Sequence, residues 1–91
     1  IVDCLTLMVS NAMMRQEKER RIIARFKQVL QFLKKSGSLV IIVSNEVGLG
    51  IVPENALARE FRDIAGRINQ IAAREAAEVY FTVSGIPWRV K

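Results

Sequence analysis

Leu39-Val40-Ile41-Ile42-Val43 is an unbroken apolar run, mostly β-branched, set between two long amphipathic segments. Without polar alternation, such a run reads as a strand covered on both faces, the situation of parallel sheets sandwiched by helices. The segments around it supply the cover. From Arg15 to Lys35 the apolar positions Ile22, Phe26, Val29 and Leu33 step by four, three and four, with Ile23 and Leu30 widening the stripe. Gly37, in Ser36-Gly37-Ser38, stands where a left-handed helix cap is wanted, and Lys34 and Lys35 suit the negative helix end. From Pro53 to Glu75 a second stripe, Leu57, Phe61, Ile64, Ile68 and Ile71, steps by four, three, four and three.

The rest completes an alternating order. Ile1-Val2-Asp3-Cys4 reads as a buried strand end, followed by a short apolar helix to about Met14. Glu78 to Ser84 reads as a further strand with Val79, Phe81 and Val83 inward. Gly85-Ile86-Pro87 reads as a turn, and Trp88 to Lys91 as a short edge strand. Strand, helix, strand, helix, strand is an α/β pattern with parallel neighbours. Three strands leave apolar edges over, and the chain opens at Ile1 in mid-hydrophobic run, so the expectation is a piece of a longer domain. Cys4 is expected as a small buried hydrophobe, and Tyr80 and Trp88 in the core or at an interface.

Composition removes several chemistries. There is no histidine, hence neither the commonest general base nor a His-containing zinc site, and a lone cysteine makes no disulfide. A reducing compartment, the cytoplasm, is the expectation. No apolar run is long enough to span a bilayer. The net charge of +5 favours anionic partners, and most of it sits between Arg15 and Lys35, where eight bases meet two acids. The plain account is a solvated helix face; the alternative is a non-catalytic module binding nucleotides or nucleic acid through residues 15–35. The aromatic residues among those charges are only Phe26, which belongs to the apolar stripe, and Phe32, too few for a row of stacking platforms, which counts against nucleic acid.

Candidate ligand-binding residues gather at the carboxyl ends of strands, where open α/β sheets hold ligands. Asp3 ends the first strand and either contacts Mg²⁺ and nucleotide or caps the next helix. Ser44 to Val52 follows the central strand; there Asn45 and Glu46 offer an amide and a carboxylate to a ribose, hydroxyl or metal-bound water, or act as turn residues. Gly48-x-Gly50 is neither a dinucleotide fingerprint nor a P-loop, because no third glycine and no Lys-Ser or Lys-Thr pair follow it. On the second long helix Asn55, Arg59, Arg62, Gly66 and Asn69 form a line opposite the core stripe, with Arg59 and Asp63 spaced as an ion pair. Gly66, disfavoured in mid-helix by about 1 kcal/mol against Ala, implies close approach by another subunit or another part of the chain.

Val2-Asp3-Cys4-Leu5-Thr6-Leu7 with Ser10-Asn11, the run Ser44 to Asn55, the run Ala58 to Gln70, and Val83 to Pro87 together resemble one enzyme family. It is the adenosylcobinamide kinase/adenosylcobinamide-phosphate guanylyltransferase family, and the likeness covers its carboxyl-terminal half. The resemblance implies a P-loop NTPase-like α/β fold, a mostly parallel sheet flanked by helices. Residues 1–91 would be the carboxyl-terminal part of a single kinase/guanylyltransferase domain, lacking the P-loop. It implies ATP, GTP and Mg²⁺ as cofactors, adenosylcobinamide as substrate and a homotrimer. The reactions would be phosphorylation of the adenosylcobinamide hydroxyl, then GMP transfer through a guanylylated histidine. Asp3 falls where the family has an acidic residue near the nucleotide. Asn45 and Glu46 would serve the nucleotide site, and Arg59, Arg62, Gly66 and Asn69 the subunit interface. The stretch from Asn11 to Glu17 is shorter than the family usually shows, and the phosphate-cradling loop and the histidine belong to the other half.

The transferase and nucleic-acid readings separate on salt dependence. The transferase reading expects no binding of random oligonucleotides in a fluorescence titration. Binding that falls steeply from 50 to 200 mM salt, on the order of a thousandfold, would favour the basic module instead.

Overall fold

The computed structural model describes all of residues 1–91. Its elements are β1 (Val2–Asp3), α1 (Leu5–Met14), α2 (Glu19–Lys35), β2 (Ile42–Val43), a 3-10 turn at Val47–Leu49, α3 (Ala56–Glu75), β3 (Tyr80–Val83) and β4 (Ile86–Arg89). Helices and a small parallel β1–β2 pair make it an α/β chain, with Val2 opposite Ile42 and Asp3 opposite Val43.

The core belongs to the helices. Leu5, Val9 and Ala12 of α1, Ile22, Phe26 and Leu30 of α2, and Ile64 and Ile68 of α3 form one buried cluster, with Val2 and Ile42 packed against it. On α2 the buried residues Ile22, Phe26 and Leu30 keep a spacing of four, so Leu30, expected at the margin of the stripe, is buried, while Val29, expected within it, is exposed. On α3 the stripe is buried only in its middle: Ile64 and Ile68 are sealed, and Leu57 at the first turn is exposed.

The central apolar run is not the doubly covered strand its composition predicts. Only Ile42 and Val43 pair, Leu39 is 90% exposed, and Ile41 and Val43 are exposed as well. The helices cover one side of a two-stranded sheet, and nothing in these 91 residues lies on the other. The third expected parallel strand also differs. β3 pairs only with β4, antiparallel, as a separate hairpin. The turn is Ser84-Gly85, with φ of 52° and 75°, positive at both central residues as the twist of a two-residue hairpin requires. Ile86 and Pro87 therefore lie in β4 rather than in the turn. Tyr80 and Trp88 are exposed, so of the two places expected for them, core or interface, the core is excluded. The hairpin is tied back by Lys91, whose Nζ donates to the carbonyls of Ala73, Arg74 and Ala76 at 2.9, 3.1 and 2.7 Å. These are carbonyls at the end of α3, where a cation meets the negative helix terminus.

The helix expected from Arg15 begins instead at Glu19, because α1 closes on a Schellman motif. Gln16 N–H donates to Met13 O at 2.8 Å and Glu17 N–H to Ala12 O at 3.1 Å, with Gln16 at φ 61°. Arg15, Arg21 and Arg25 then converge on the Glu17 carboxylate. Partial burial pushes that carboxyl up, but the Arg15 hydrogen bond and the charges of Arg25 and Arg15 outweigh it and hold Glu17 below the usual range. α3 starts three residues after Pro53, at the Asn55 cap, whose Oδ1 accepts from Leu57 N at 2.8 Å and Ala58 N at 3.2 Å.

A left-handed conformation is unfavourable for a residue with a Cβ, so Gln16→Gly is expected to stabilise the chain by about 0.5–1 kcal/mol. Urea unfolding would show a higher midpoint at unchanged slope; a lower midpoint would mean that the motif does not govern the α1–α2 junction.

Candidate functional site

The parallel pair brings two chain segments to one edge. Asp3 ends β1, and Ser44 and Asn45 follow β2, so the residues that the sequence places at strand ends do share the carboxyl side of the sheet. Asp3 is exposed there and does not cap α1. The cap position is Cys4, which makes no capping side-chain bond. The helix-cap role open to Asp3 is therefore not the one it takes.

A short hydrogen-bond relay stitches this edge together. Asn45 Nδ2 donates to Thr6 Oγ1 at 3.2 Å, and Thr6 Oγ1 lies 3.1 Å from Cys4 Sγ. Either the thiol or the hydroxyl can donate in this contact, and once the thiol is ionised only the hydroxyl can. The Thr6 hydroxyl, followed by the Leu7 backbone N–H, holds the Cys4 thiol below its ordinary value. From the other side α3 reaches the same loop: Asn69 Nδ2 donates to Asn45 O at 3.0 Å, and Ser44 Oγ donates to Asn69 Oδ1. Thr6 is buried, the one polar residue in the core. It lies within the run Val2 to Leu7 that carries the family resemblance, as the second residue of α1, but nothing in that run singled it out.

The line Arg59, Arg62, Gly66, Asn69 has a partner in its own chain. Arg62 Nη2 donates to Gly48 O and Asn69 grips Asn45, so this flank of α3 docks the Ser44–Gly50 loop. Arg59 turns back on the helix start and donates to the carbonyls of Pro53 and Glu54; the ion pair with Asp63 expected from the spacing is not formed. Gly66 is different. A Cβ built there would meet nothing within 4 Å, and its backbone is ordinary helix, so no contact within the chain requires glycine.

Between the loop and α3 lies an open cleft of about 360 Å³, lined by Glu46, Gly48, Arg62, Asp63, Gly66, Arg67 and Gln70, without an apolar side chain. Glu46 Oε1 accepts from Gly48 N–H at 3.2 Å, which shapes the loop, and Arg67 is paired with Glu19 of α2. Arg62 Nη1 is buried in the cleft wall with no hydrogen-bond partner. Of the seven residues singled out from the sequence, Glu46, Arg62 and Gly66 meet in this cleft. Asn45 and Asn69 are structural ties beside it, Arg59 stands apart at the helix start, and Asp3 sits at the sheet edge.

Nowhere do three or more acidic, histidine or cysteine side chains converge into a metal cage. Mg²⁺ that arrives with a nucleotide needs only one or two carboxylates, the phosphates and water supplying the rest. Asp3 fits that modest demand as a single ligand. The basic segment is less free than its charge implies: Arg15, Arg21 and Arg25 face Glu17, and Lys34 faces Glu75. No helix is long and apolar enough to cross a membrane.

The arrangement defines an α/β chain with a polar strand-end edge and a charged cleft beside it. The comparisons then fix the family. The model of the cobinamide kinase / cobinamide phosphate guanyltransferase family matches residues 1–90. The chain is 40% identical over 103 aligned positions to the bifunctional adenosylcobalamin biosynthesis proteins CobU of Escherichia coli and of Salmonella typhimurium. It is 37% identical over 91 positions to the CobP protein of Pseudomonas aeruginosa, likewise named as bifunctional in adenosylcobalamin biosynthesis. All of this chain is covered, against 57% of the first two relatives and 52% of the third, so it spans little more than half of their length. It belongs to the cobinamide kinase / cobinamide phosphate guanyltransferase family. The alignments with the two enterobacterial proteins run longer than this chain, so those proteins carry residues that it lacks.

Replacing Thr6 by Val removes the hydroxyl that faces the thiolate. The pH at which Cys4 reaches half-maximal alkylation by iodoacetamide is expected below that of an ordinary thiol, about 8.5, and should rise in Thr6→Val. An unchanged midpoint in the variant would show that the relay does not reach sulfur.

Proposed function

We propose that these residues form the carboxyl-terminal part of a cytoplasmic, bifunctional cobalamin-biosynthesis transferase. In its first reaction the terminal phosphoryl group of ATP or GTP passes to the adenosylcobinamide hydroxyl, leaving ADP or GDP. In its second, GMP from GTP is transferred to adenosylcobinamide phosphate, with pyrophosphate leaving. The observation that carries the reading is family membership over residues 1–90, combined with the convergence of Asp3 and the Ser44–Asn45 loop at one sheet edge.

Phosphoryl transfer depends on positioning and charge neutralisation more than on protein nucleophiles. In that scheme Asp3 holds Mg²⁺ directly or through water, and the metal ion, when bound, neutralises charge on the phosphates. Asn45 is fixed by Thr6 and by Asn69, which keeps the loop after β2 in place beside the phosphates. Glu46 stands one residue further, at the cleft. A histidine to accept GMP is not among the 91 residues, and neither is a Gly-rich loop ending in Lys-Ser or Lys-Thr. Both functions fall to the remaining length of the relatives, in which a P-loop would complete the sheet. The uncovered outer side of β1–β2 and the exposed hairpin aromatics are where such residues would pack. Assembly as a homotrimer is the quaternary arrangement that the family reading carries with it.

The reading predicts that the chain alone converts no adenosylcobinamide when supplied with GTP and Mg²⁺. Joined in frame behind the amino-terminal part of the Escherichia coli relative, it should form both the phosphate and the GDP derivative, resolved by chromatography. Asp3→Asn in that fusion should lower the kinase kcat at least tenfold. A folded fusion active with neither ATP nor GTP would overturn the assignment, and turnover by the 91 residues alone would overturn the division of labour.

A further inference from the structure

Thr6 is the one polar residue among the buried ones, at 6% exposure, and a valine of the same shape would fill its place with no hydroxyl to satisfy. Its hydroxyl meets two partners, Asn45 Nδ2 at 3.2 Å and Cys4 Sγ at 3.1 Å. Neither partner requires it: Asn45 is exposed to water, and the half-buried Cys4 carries a thiol, which bonds only weakly. The loop after β2 does not require it either. The loop's main chain is tied without Thr6, since Asn69 Nδ2 donates to Asn45 O at 3.0 Å, Arg62 donates to Gly48 O, and Glu46 Oε1 accepts from Gly48 N–H at 3.2 Å.

With the main chain held from α3, what the Thr6 bond adds is the direction of one side chain. It holds the Asn45 carboxamide against α1, at the carboxyl end of the parallel pair where Asp3 ends β1. The bond uses the amide nitrogen, so Oδ1 remains as the acceptor that this side chain offers a ligand. An acceptor takes a donor and turns away a bare phosphate oxygen. Resting on the reading of this edge as a phosphoryl-transfer site, we infer that Thr6 is a positioning residue of the kinase reaction. It acts through Asn45, presenting Oδ1 to an O–H donor bound at the edge, and itself touches no reactant. Two sources of that donor are open, the accepting hydroxyl and water held by the nucleotide's Mg²⁺. Misplacing such a group by about 1 Å costs up to about a hundredfold in rate.

Two measurements test this. In the 91-residue chain, the order parameter of the Asn45 side-chain NH₂, read by NMR, should be high, fall in Thr6→Val and recover in Thr6→Ser. In the fusion to the amino-terminal part of the Escherichia coli relative, Thr6→Val should lower the kinase kcat about tenfold, with little change in KM for the nucleotide. Thr6→Ser should restore most of that loss. Asn45→Ala should lower kcat by a similar factor, and adding Thr6→Val to it should cost nothing more, because the two side chains act as one unit. A loss that persists at saturating Mg²⁺ identifies the donor as the accepting hydroxyl; one that disappears as Mg²⁺ is raised identifies it as metal-held water. Asn45 can turn to water, so Thr6→Val leaves no buried donor unpaired and should keep the parent's urea midpoint. If the midpoint falls, Thr6→Ser and the double variant decide. Losses that multiply in the double variant, a Thr6→Ser as impaired as Thr6→Val, or an Asn45 NH₂ unchanged in Thr6→Val would each overturn the inference. An active fusion that keeps full kcat with Thr6→Val overturns the role of Thr6 and leaves the transferase reading standing. A fusion inactive with either nucleotide overturns that reading and the kinetic role with it, while the Asn45 resonances still decide whether Thr6 aims the side chain.

Discussion

Ile64 and Ile68, sealed between α1 and α2, are the contact on which the rest of the molecule depends. Fully burying an aliphatic side chain of this kind contributes about 1.5–3 kcal/mol, and truncating one leaves a cavity that adds to the loss. Together they fix the rotation of α3 about its axis. With that rotation set, Arg62 and Asn69 must face the loop after β2, and Gly66 must lie between them on the same flank. The functional surface is thus a consequence of the core stripe rather than a feature added to it. The two long ion pairs, Arg67 with Glu19 and Lys34 with Glu75, join α2 to α3 on the exposed side and add little by comparison.

The strand-end edge follows from the same core by a different route. Val2 and Ile42 pack under the helices, so β1 and β2 are held in register with Asp3 beside Val43. Thr6, the second residue of α1, is then buried close enough to receive Asn45 and to touch Cys4. A polar group in a core persists only when it is bonded, and here its bonds tie a loop to a helix. The loop is held by backbone and amide contacts, with Glu46 and Arg62 among the residues that line the cleft.

Much of this was legible in the residues. The helical stripes located α2 and α3, and the β-branched run located β2 within the chain. Asp3 and the Ser44–Val52 loop were placed at strand ends by order alone. What the sequence misjudged was cover. Leu39 to Val43 reads as doubly buried from its unbroken apolar composition, whereas these 91 residues provide one strand neighbour and one layer of helices. The same shortage explains Val83, Ile86 and Trp88, apolar residues of a hairpin with little to pack on. The start of α2 was missed because Gln16, unlike glycine, gives no sign of a left-handed cap. Thr6 was missed because a single hydroxyl in an apolar helix has no pattern. Arg59 and Arg62 were seen as one line, yet one serves the helix start and the other the loop, a division only the backbone path decides.

The central proposal is that the helices hold the fold by themselves, whereas the strands need further polypeptide, such as the remaining length of the relatives, to be finished. Amide hydrogen exchange on the chain alone and on its fusion to the amino-terminal part of a relative tests this directly. The account predicts strong protection of Val9, Ile64 and Ile68 in both. It predicts slow exchange at Val2, Ile42 and Tyr80 to Val83 only in the fusion. Equal protection of those strand amides with and without the additional polypeptide would contradict it.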